Sequence, residues 1–115
     1  MQAAIEQVGD VAIVVLPGAS LDAGNAKEFK QEMTPVLGAN AKVVFDLSEL
    51  QFVDSSGLGA LLSCLRQLNA AGGGLKLCGM AKSVRSLFEL VRMERIFDIV
   101  ETKADAISAF QGTRA

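Results

Sequence analysis

The apolar positions at the start of the chain predict a β-hairpin. Two apolar segments, Ala3–Val8 and Val11–Leu16, are separated by Gly9-Asp10. A two-residue connection of this kind favours a tight turn, because glycine accepts a positive φ. The second segment is apolar nearly throughout, which is typical of a strand buried on both faces. We therefore expect an antiparallel pair whose second strand lies inside a larger sheet.

A first helix is predicted after the hairpin. It rests on five apolar residues at the spacing of one buried helix face, which are Ala26, Phe29, Met33, Val36 and Leu37. Asp22 and Asn25 are both candidate N-caps, and Gly38 is a plausible stop. Pro35 lacks a backbone N–H and is expected to kink or end the last turn.

The rest of the chain alternates between strand and helix patterns. In order, the predicted elements are strand Lys42–Leu47, a helix from about Ser56 to Ala71, strand Leu75–Cys78, a helix from about Ala81 to Met93, strand Ile96–Val100 and helix Lys103–Gln111. The segment Ser48–Val53 is taken as a connection, and Gly72-Gly73-Gly74 as a turn that ends the second helix. The last helix is expected to bury Ala104, Ile107 and Phe110.

A hairpin followed by alternating units predicts an α/β fold. We expect a mixed, mostly parallel sheet of about five strands with an N-terminal hairpin, flanked by about four helices. The 115 residues are expected to form a single domain, residues 1–115, large enough to bury a core without metal or disulfide support. A hydrophobic content of 50% against 21% charged residues indicates a globular chain rather than a disordered one.

Charge and hydropathy exclude several classes of function. The formal net charge is −2 and no cluster of lysine and arginine occurs, so nucleic-acid binding is not expected. The longest apolar run, Val11–Leu16, is far too short to cross a bilayer. Because no basic segment precedes a long apolar stretch at the N-terminus, we expect a cytoplasmic protein without a membrane partner.

The residues that usually carry catalysis or bind metals are scarce. Histidine is absent, which removes Ser-His nucleophile pairs and His-containing metal sites. Cys64 and Cys78 belong to no C-x-x-C pair and are interpreted as buried, reduced thiols. We therefore expect no catalytic residue, no metal site and no cofactor.

The most informative segment is residues 54–59, Asp54-Ser55-Ser56-Gly57-Leu58-Gly59, between an apolar strand and a helix with a stripe of leucines. This order places hydroxyl groups where free backbone N–H groups meet the positive end of the helix dipole, so a phosphate on Ser55 or Ser56 would be accommodated. Helix capping by Asp54 or a serine is the simpler interpretation. However, each glycine costs the helix up to about 1 kcal/mol relative to alanine. This cost favours a site at which another protein approaches the backbone closely.

Three other interpretations fit less well. Asp46, at a strand end, resembles the phosphorylated aspartate of receiver domains, but the first strand is not followed by the acidic pair that holds Mg²⁺ there. Gly72-Gly73-Gly74 could suggest a phosphate loop, but no G-x-x-x-x-G-K-[ST] pattern follows and no helix begins directly after it. A serine nucleophile would have to use lysine or aspartate as its base, and no G-x-S-x-G motif is present.

The chain resembles STAS domains of the anti-sigma factor antagonist type. The resemblance covers roughly residues 3–111 and rests on Phe45-Asp46-Leu47-Ser48 followed by Phe52-Val53 and residues 54–59, with support from Leu21-Asp22, Cys78-Gly79 and Ser86-Leu87-Phe88-Glu89-Leu90. Two departures are visible. The turn Gly18-Ala19-Ser20 is one residue longer than usual, and Arg92 stands where many members have glycine.

The resemblance implies the STAS fold and a bacterial partner-switching protein that is not an enzyme. In that family, the unmodified protein binds an anti-sigma factor that is also a serine kinase, and so frees the sigma factor. The kinase phosphorylates the serine that matches Ser55, which ends binding, and a PP2C-type phosphatase reverses the modification. Around this phosphorylation site, the partner-binding residues implied are Asp22, Asp54, Ser56, Gly57, Leu58 and Gly59.

One alternative within the resemblance stays open. Some STAS modules are structural subunits of a larger assembly, such as a stressosome-like scaffold or a transporter-associated complex, without a phosphorylation switch. The complete D-S-S-G-L-G segment favours the regulatory type, and for that type we expect a monomer or a weak dimer.

Overall fold

The computed structural model describes residues 2–112 and contains two sheets flanked by helices. The elements are β1 Ala4–Val8, β2 Val11–Val15, β3 Ser20–Leu21, α1 Ala26–Ala39, β4 Lys42–Asp46, β5 Phe52–Val53, α2 Ser55–Ala70, β6 Gly74–Cys78, α3 Lys82–Leu90, a 3-10 helix Met93–Arg95, β7 Asp98–Val100 and α4 Lys103–Phe110. The main sheet has five strands in the order β1-β2-β4-β6-β7. Only β1 runs antiparallel to its neighbour, so the predicted mixed, mostly parallel sheet with an N-terminal hairpin is confirmed.

The position of β2 explains its uniformly apolar sequence. It lies between β1 and β4, and the four residues Val11–Val14 are completely buried. Successive side chains of a strand point to opposite faces, so β2 contributes to two cores. Ala12 and Val14 face the larger core with residues of α1, α2 and α3, and Val11 and Ile13 face a smaller core with Ala106 of α4.

A second, two-stranded sheet was not predicted. Ser20–Leu21 pairs in parallel with Phe52–Val53, inside the segment that the sequence suggested was a plain connection. Strands of two residues are too short to display an alternating pattern, so their pairing depends on the packing around them. This small sheet places the start of α2 next to the loop that leads into α1.

Helix α1 differs from its prediction at both ends. Asn25 occupies the N-cap position but its side chain makes no capping hydrogen bond, and the Asp22 carboxylate does not cap the helix either. Pro35 lies inside the helix, which continues past Gly38 to Ala39. Buried Val36 and Leu37 hold this last turn against the core, which explains how it tolerates a proline.

The elements near the C-terminus also begin and end differently from the prediction. Helix α3 ends at Leu90 rather than near Met93, because Arg92 adopts a left-handed conformation with φ 64° and a 3-10 turn follows. The last strand begins at Asp98, not at Ile96.

Helix α4 has the predicted position but a rotated buried face. Ala106 is completely buried, Ile107 and Phe110 are half-buried, and Ala104 is exposed, against expectation. The Phe110 ring lies beneath Lys76, whose Nζ is 4.7 Å from the ring centroid. Apart from Ile107 and Phe110, the residues of this short helix are small or polar, so its sequence carries too little pattern to fix its orientation.

Candidate functional site

The two loops that follow the short sheet meet at its carboxyl end. The loop after β3 leads into α1, and Asp54 after β5 begins α2. The backbone N–H of Asp54 donates to the Leu21 carbonyl oxygen at 3.3 Å. The Asp54 carboxylate also accepts a hydrogen bond from the Ala23 N–H, 3.1 Å from Oδ2. Parallel pairing of β3 with β5 therefore brings together residues that are more than thirty positions apart.

Asp54 is the N-cap of α2, as one interpretation of the sequence suggested. Its Oδ1 accepts a hydrogen bond from the Gly57 N–H at 2.9 Å. Hydrogen bonds from backbone N–H groups, that of Gly57 first, lower the pKa of this carboxyl below its usual value. Because its other oxygen binds Ala23, the same side chain caps α2 and holds the neighbouring loop.

Asp22 organises the loop before α1. Its Oδ2 accepts from the Ser20 hydroxyl at 2.8 Å and its Oδ1 from the Gly24 N–H at 2.9 Å. Asn25 completes the loop by accepting from the Asp22 N–H and donating to the Ser20 carbonyl, each at 2.9 Å. All four carboxylate oxygens of Asp22 and Asp54 thus accept hydrogen bonds from this chain.

Ser55 and Ser56 begin α2, and both are exposed. Neither hydroxyl makes a hydrogen bond within residues 2–112, in contrast to the hydroxyl of Ser20. The first backbone N–H groups of a helix also lack intrahelical partners. The start of α2 therefore presents two accessible hydroxyl groups beside backbone donors.

The two glycines of the segment have different environments. Gly57 is buried, and a Cβ atom placed there would lie 2.9 Å from both the Leu21 carbonyl carbon and Val53 Cγ1. Gly59 is exposed, and a Cβ there would have no heavy atom within 4 Å. The prediction that both glycines leave the backbone open to a partner is therefore wrong for Gly57, whose small size allows α2 to pack on β3. Leu58 is half-buried and packs against the larger core.

A shallow groove beside the serines was not predicted from the sequence. It has a volume of about 490 Å³ and lies between the first turns of α1 and α2. Its lining residues are Ala23, Ala26, Lys27, Lys30, Ser56, Gly59 and Ala60. The i, i+3 spacing of Lys27 and Lys30 was a visible signal that they share a helix face. Only the tertiary packing places that face next to Ser56.

The remaining candidate residues have structural environments. The Asp46 carboxylate accepts from the Ser48 N–H at 3.0 Å and so fixes the turn after β4. Cys64 and Cys78 are free and buried, as predicted, and burial raises their pKa to about 12 and about 11. Across residues 2–112, no group of three His, Cys, Asp or Glu residues could hold a metal ion. Over the same residues, no helix combines the length and the hydropathy that spanning a bilayer requires.

Comparison with known proteins agrees with this architecture. The anti-sigma F factor antagonist of Paenibacillus polymyxa is 27% identical over 113 residues, which span 96% of each protein. The structure of the anti-sigma factor antagonist SpoIIAA in its unphosphorylated form matches with a TM-score of 0.81 at 22% identity, over 99% of this chain and 100% of that one. The murine anion transporter Slc26a9 matches with a TM-score of 0.80 at 19% identity, over 94% of this chain but only 19% of the transporter.

These two structural matches show a shared fold. The family is given by the sequence itself, because the model of the STAS domain matches residues 2–106, nearly the whole chain. With the five-stranded sheet, its four helices and the motif at the start of α2, this match identifies the chain as a member of the STAS domain family.

Proposed function

We propose that this protein is an anti-sigma factor antagonist controlled by phosphorylation of Ser55. The unmodified form binds an anti-sigma factor that is also a serine kinase and thereby releases a sigma factor. Phosphorylation of Ser55 ends the binding, and a PP2C-type phosphatase restores it. In this role the protein is a cytoplasmic substrate and ligand, not an enzyme, and residues 1–115 act as one domain.

The observation that carries the proposal is the exposed Ser55 hydroxyl at the first position of α2, without a hydrogen-bond partner in residues 2–112. A kinase can reach such a hydroxyl without unfolding the domain. The names of relatives such as the Paenibacillus polymyxa protein support the same function. Asp22 and Asp54 act in this proposal as the residues that hold the two loops around the serine in place.

The electrostatics favour a switch that changes binding more than folding. A phosphate adds about −1.5 to −2 charges at pH 7. The N-terminus of α2 stabilises a negative charge by about 0.3–1 kcal/mol, so the isolated domain is expected to stay folded. A partner that covers the site must instead remove the phosphate from water, and every 1.4 kcal/mol of that cost weakens binding about tenfold.

Incubation with ATP and the candidate anti-sigma kinase, followed by mass spectrometry of the peptide 51–66, tests the proposal. We expect phosphate on Ser55 in the native protein and in Ser56→Ala, and none in Ser55→Ala. We also expect Ser55→Asp to remain folded and to lose the kinase. Phosphate confined to Ser56, or equal binding by native protein and Ser55→Asp, would contradict the proposal.

A second candidate function is a structural role in a larger assembly. It is favoured by the presence of the same fold as a small part of the Slc26a9 transporter chain. Light scattering separates the two functions, because the antagonist is expected to be a monomer or weak dimer and a scaffold subunit to form a large homo-assembly.

A further inference from the structure

We infer that the groove between α1 and α2 binds an acidic segment of the partner protein through Lys27 and Lys30. The inference rests on the proposed function and assigns a second contact to the same partner. The segment that occupies the groove is a stretch of the partner chain with aspartate or glutamate side chains.

The shape of the groove suits a polypeptide. The walls include Ala23, Ala26 and Ala60, whose side chains are short, and Gly59, which has open space where a Cβ would be. Small residues allow another backbone to approach closely. Ser56 lines the groove, so a segment lying in it would contact the residue that directly follows the proposed phosphorylation site, Ser55.

The charge of the groove selects an acidic occupant. Lys27 and Lys30 are exposed, stand on one face of α1, and form no ion pair within residues 2–112. In the adjoining loops, both oxygens of Asp22 and of Asp54 accept hydrogen bonds from the chain itself. Because neither lysine belongs to an ion pair within residues 2–112, the two ammonium groups are available to carboxylates of a partner. Such charge complementarity sets specificity and the rate of association.

The same arrangement gives the phosphate a specific way to oppose binding. A phosphate at Ser55 has the same sign as the carboxylates of the incoming segment, and Ser55 directly precedes Ser56, which lines the groove. It would repel those carboxylates and weaken the attraction of the nearby lysines for them. The loss of partner affinity on phosphorylation of Ser55 should therefore depend in part on Lys27 and Lys30.

The test compares two variants with the same loss of positive charge. Lys27→Gln with Lys30→Gln removes the positive charge of the groove. Arg92→Gln with Arg95→Gln neutralises two exposed arginines that precede β7 and do not line the groove. The binding partner is the anti-sigma factor that binds the native protein, and dissociation constants are measured at 0.1 and 0.5 M NaCl. Far-UV circular dichroism verifies that both variants stay folded.

We expect the lysine variant to bind at least tenfold more weakly and the arginine variant to stay within twofold of native. Salt should weaken native binding more than binding by the lysine variant, because exposed ion pairs are screened. Ser55→Asp should reduce the affinity for the partner by a smaller factor in the lysine variant than in the native protein, because the effects of coupled contacts are not additive. A zero-length carbodiimide cross-linker should join Lys27 or Lys30 to aspartate or glutamate of the partner.

Several results would overturn the inference. If Ser55→Asp abolishes binding and the lysine variant binds as tightly as the native protein, the proposed function stands and the groove is not the binding site. If the lysine and arginine variants lose the same amount of affinity, the loss depends on net charge and not on the groove. Self-association of the protein in the absence of the partner, if it is lost in the lysine variant, would show that a second copy fills the groove and would also reject the inference. If the native protein binds no anti-sigma factor, both proposals fail.

Discussion

The Leu21 carbonyl group occupies the space that a side chain at Gly57 would need. A Cβ atom on residue 57 would lie 2.9 Å from the Leu21 carbonyl carbon and closer still to its oxygen. Leu21 belongs to β3, and the same carbonyl accepts the Asp54 N–H, so it has little freedom to move. The start of α2 is thus fixed by a backbone-to-backbone approach that only glycine permits.

Gly57→Ala is expected to destabilise the fold by about 1–3 kcal/mol, since overpacking at a well-filled position costs that much. Urea unfolding followed by circular dichroism measures the loss. A native-like unfolding midpoint would mean that β3 and α2 separate easily, which contradicts the tight packing described above.

Gly59→Ala is the matched control, because it makes the same change two residues along the same helix into open space. It is expected to stabilise α2 by up to about 1 kcal/mol through better helix propensity. A weakened affinity for the partner, despite greater stability, would indicate that the partner approaches the backbone at Gly59. A loss of stability like that of Gly57→Ala would contradict the open environment.

The Asp54 carboxylate should make stability depend on pH. Hydrogen bonds from Gly57 and Ala23 lower its pKa in the folded state, so the unfolded chain binds the proton more tightly. The stabilisation is therefore complete above the unfolded pKa, near 3.8, and is lost as the pH falls through the lower folded pKa. We expect Asp54→Asn to be less stable than native at pH 7 and the difference to shrink toward pH 2. Thermal unfolding across this range measures it, and a constant difference would contradict the assignment.

The two cysteines should be unreactive in the folded protein. Because burial raises the pKa of Cys64 to about 12 and of Cys78 to about 11, almost no thiolate exists at pH 8. Titration with a thiol reagent at this pH should label neither cysteine until denaturant is added, when both react. Rapid labelling of the native protein would show that the cores open on the time scale of the assay.

Arg92→Gly is expected to stabilise the protein. Arg92 adopts φ 64°, a left-handed conformation that costs a residue with a side chain about 1–2 kcal/mol. Glycine avoids this cost but loses about 0.5–1 kcal/mol more conformational freedom on folding, which leaves a gain of about 0.5–1 kcal/mol. Arg95→Gly, in the 3-10 turn, lacks this compensation and should not stabilise. Equal unfolding midpoints for the two variants would contradict the explanation.

The end of helix α3 depends on the backbone conformation of Arg92. The sequence alone gave no reason to end α3 before Met93, because the apolar spacing continues. In the structure Arg92 adopts a left-handed conformation, which ends the helix before Met93. The 3-10 turn and the late start of β7 follow from that single backbone conformation.

The sequence by itself determined the order of the main elements, the two-sided burial of β2 and the position of residues 54–59 at the start of a helix. Each of these depends on local information: apolar spacing over several residues, or capping residues directly before a helix. The two-residue strands β3 and β5 carry no such pattern. Their pairing depends on the packing of α1 and α2 on the main sheet.

Tertiary structure therefore decided the composition of the site. It separated Gly57, which is needed for packing, from Gly59, which is open, although the two look alike in the sequence. It also placed Lys27 and Lys30 of α1 beside Ser56 of α2. Contacts between residues about thirty positions apart arise only when the whole chain is folded, because no local preference of either segment specifies its neighbour in space.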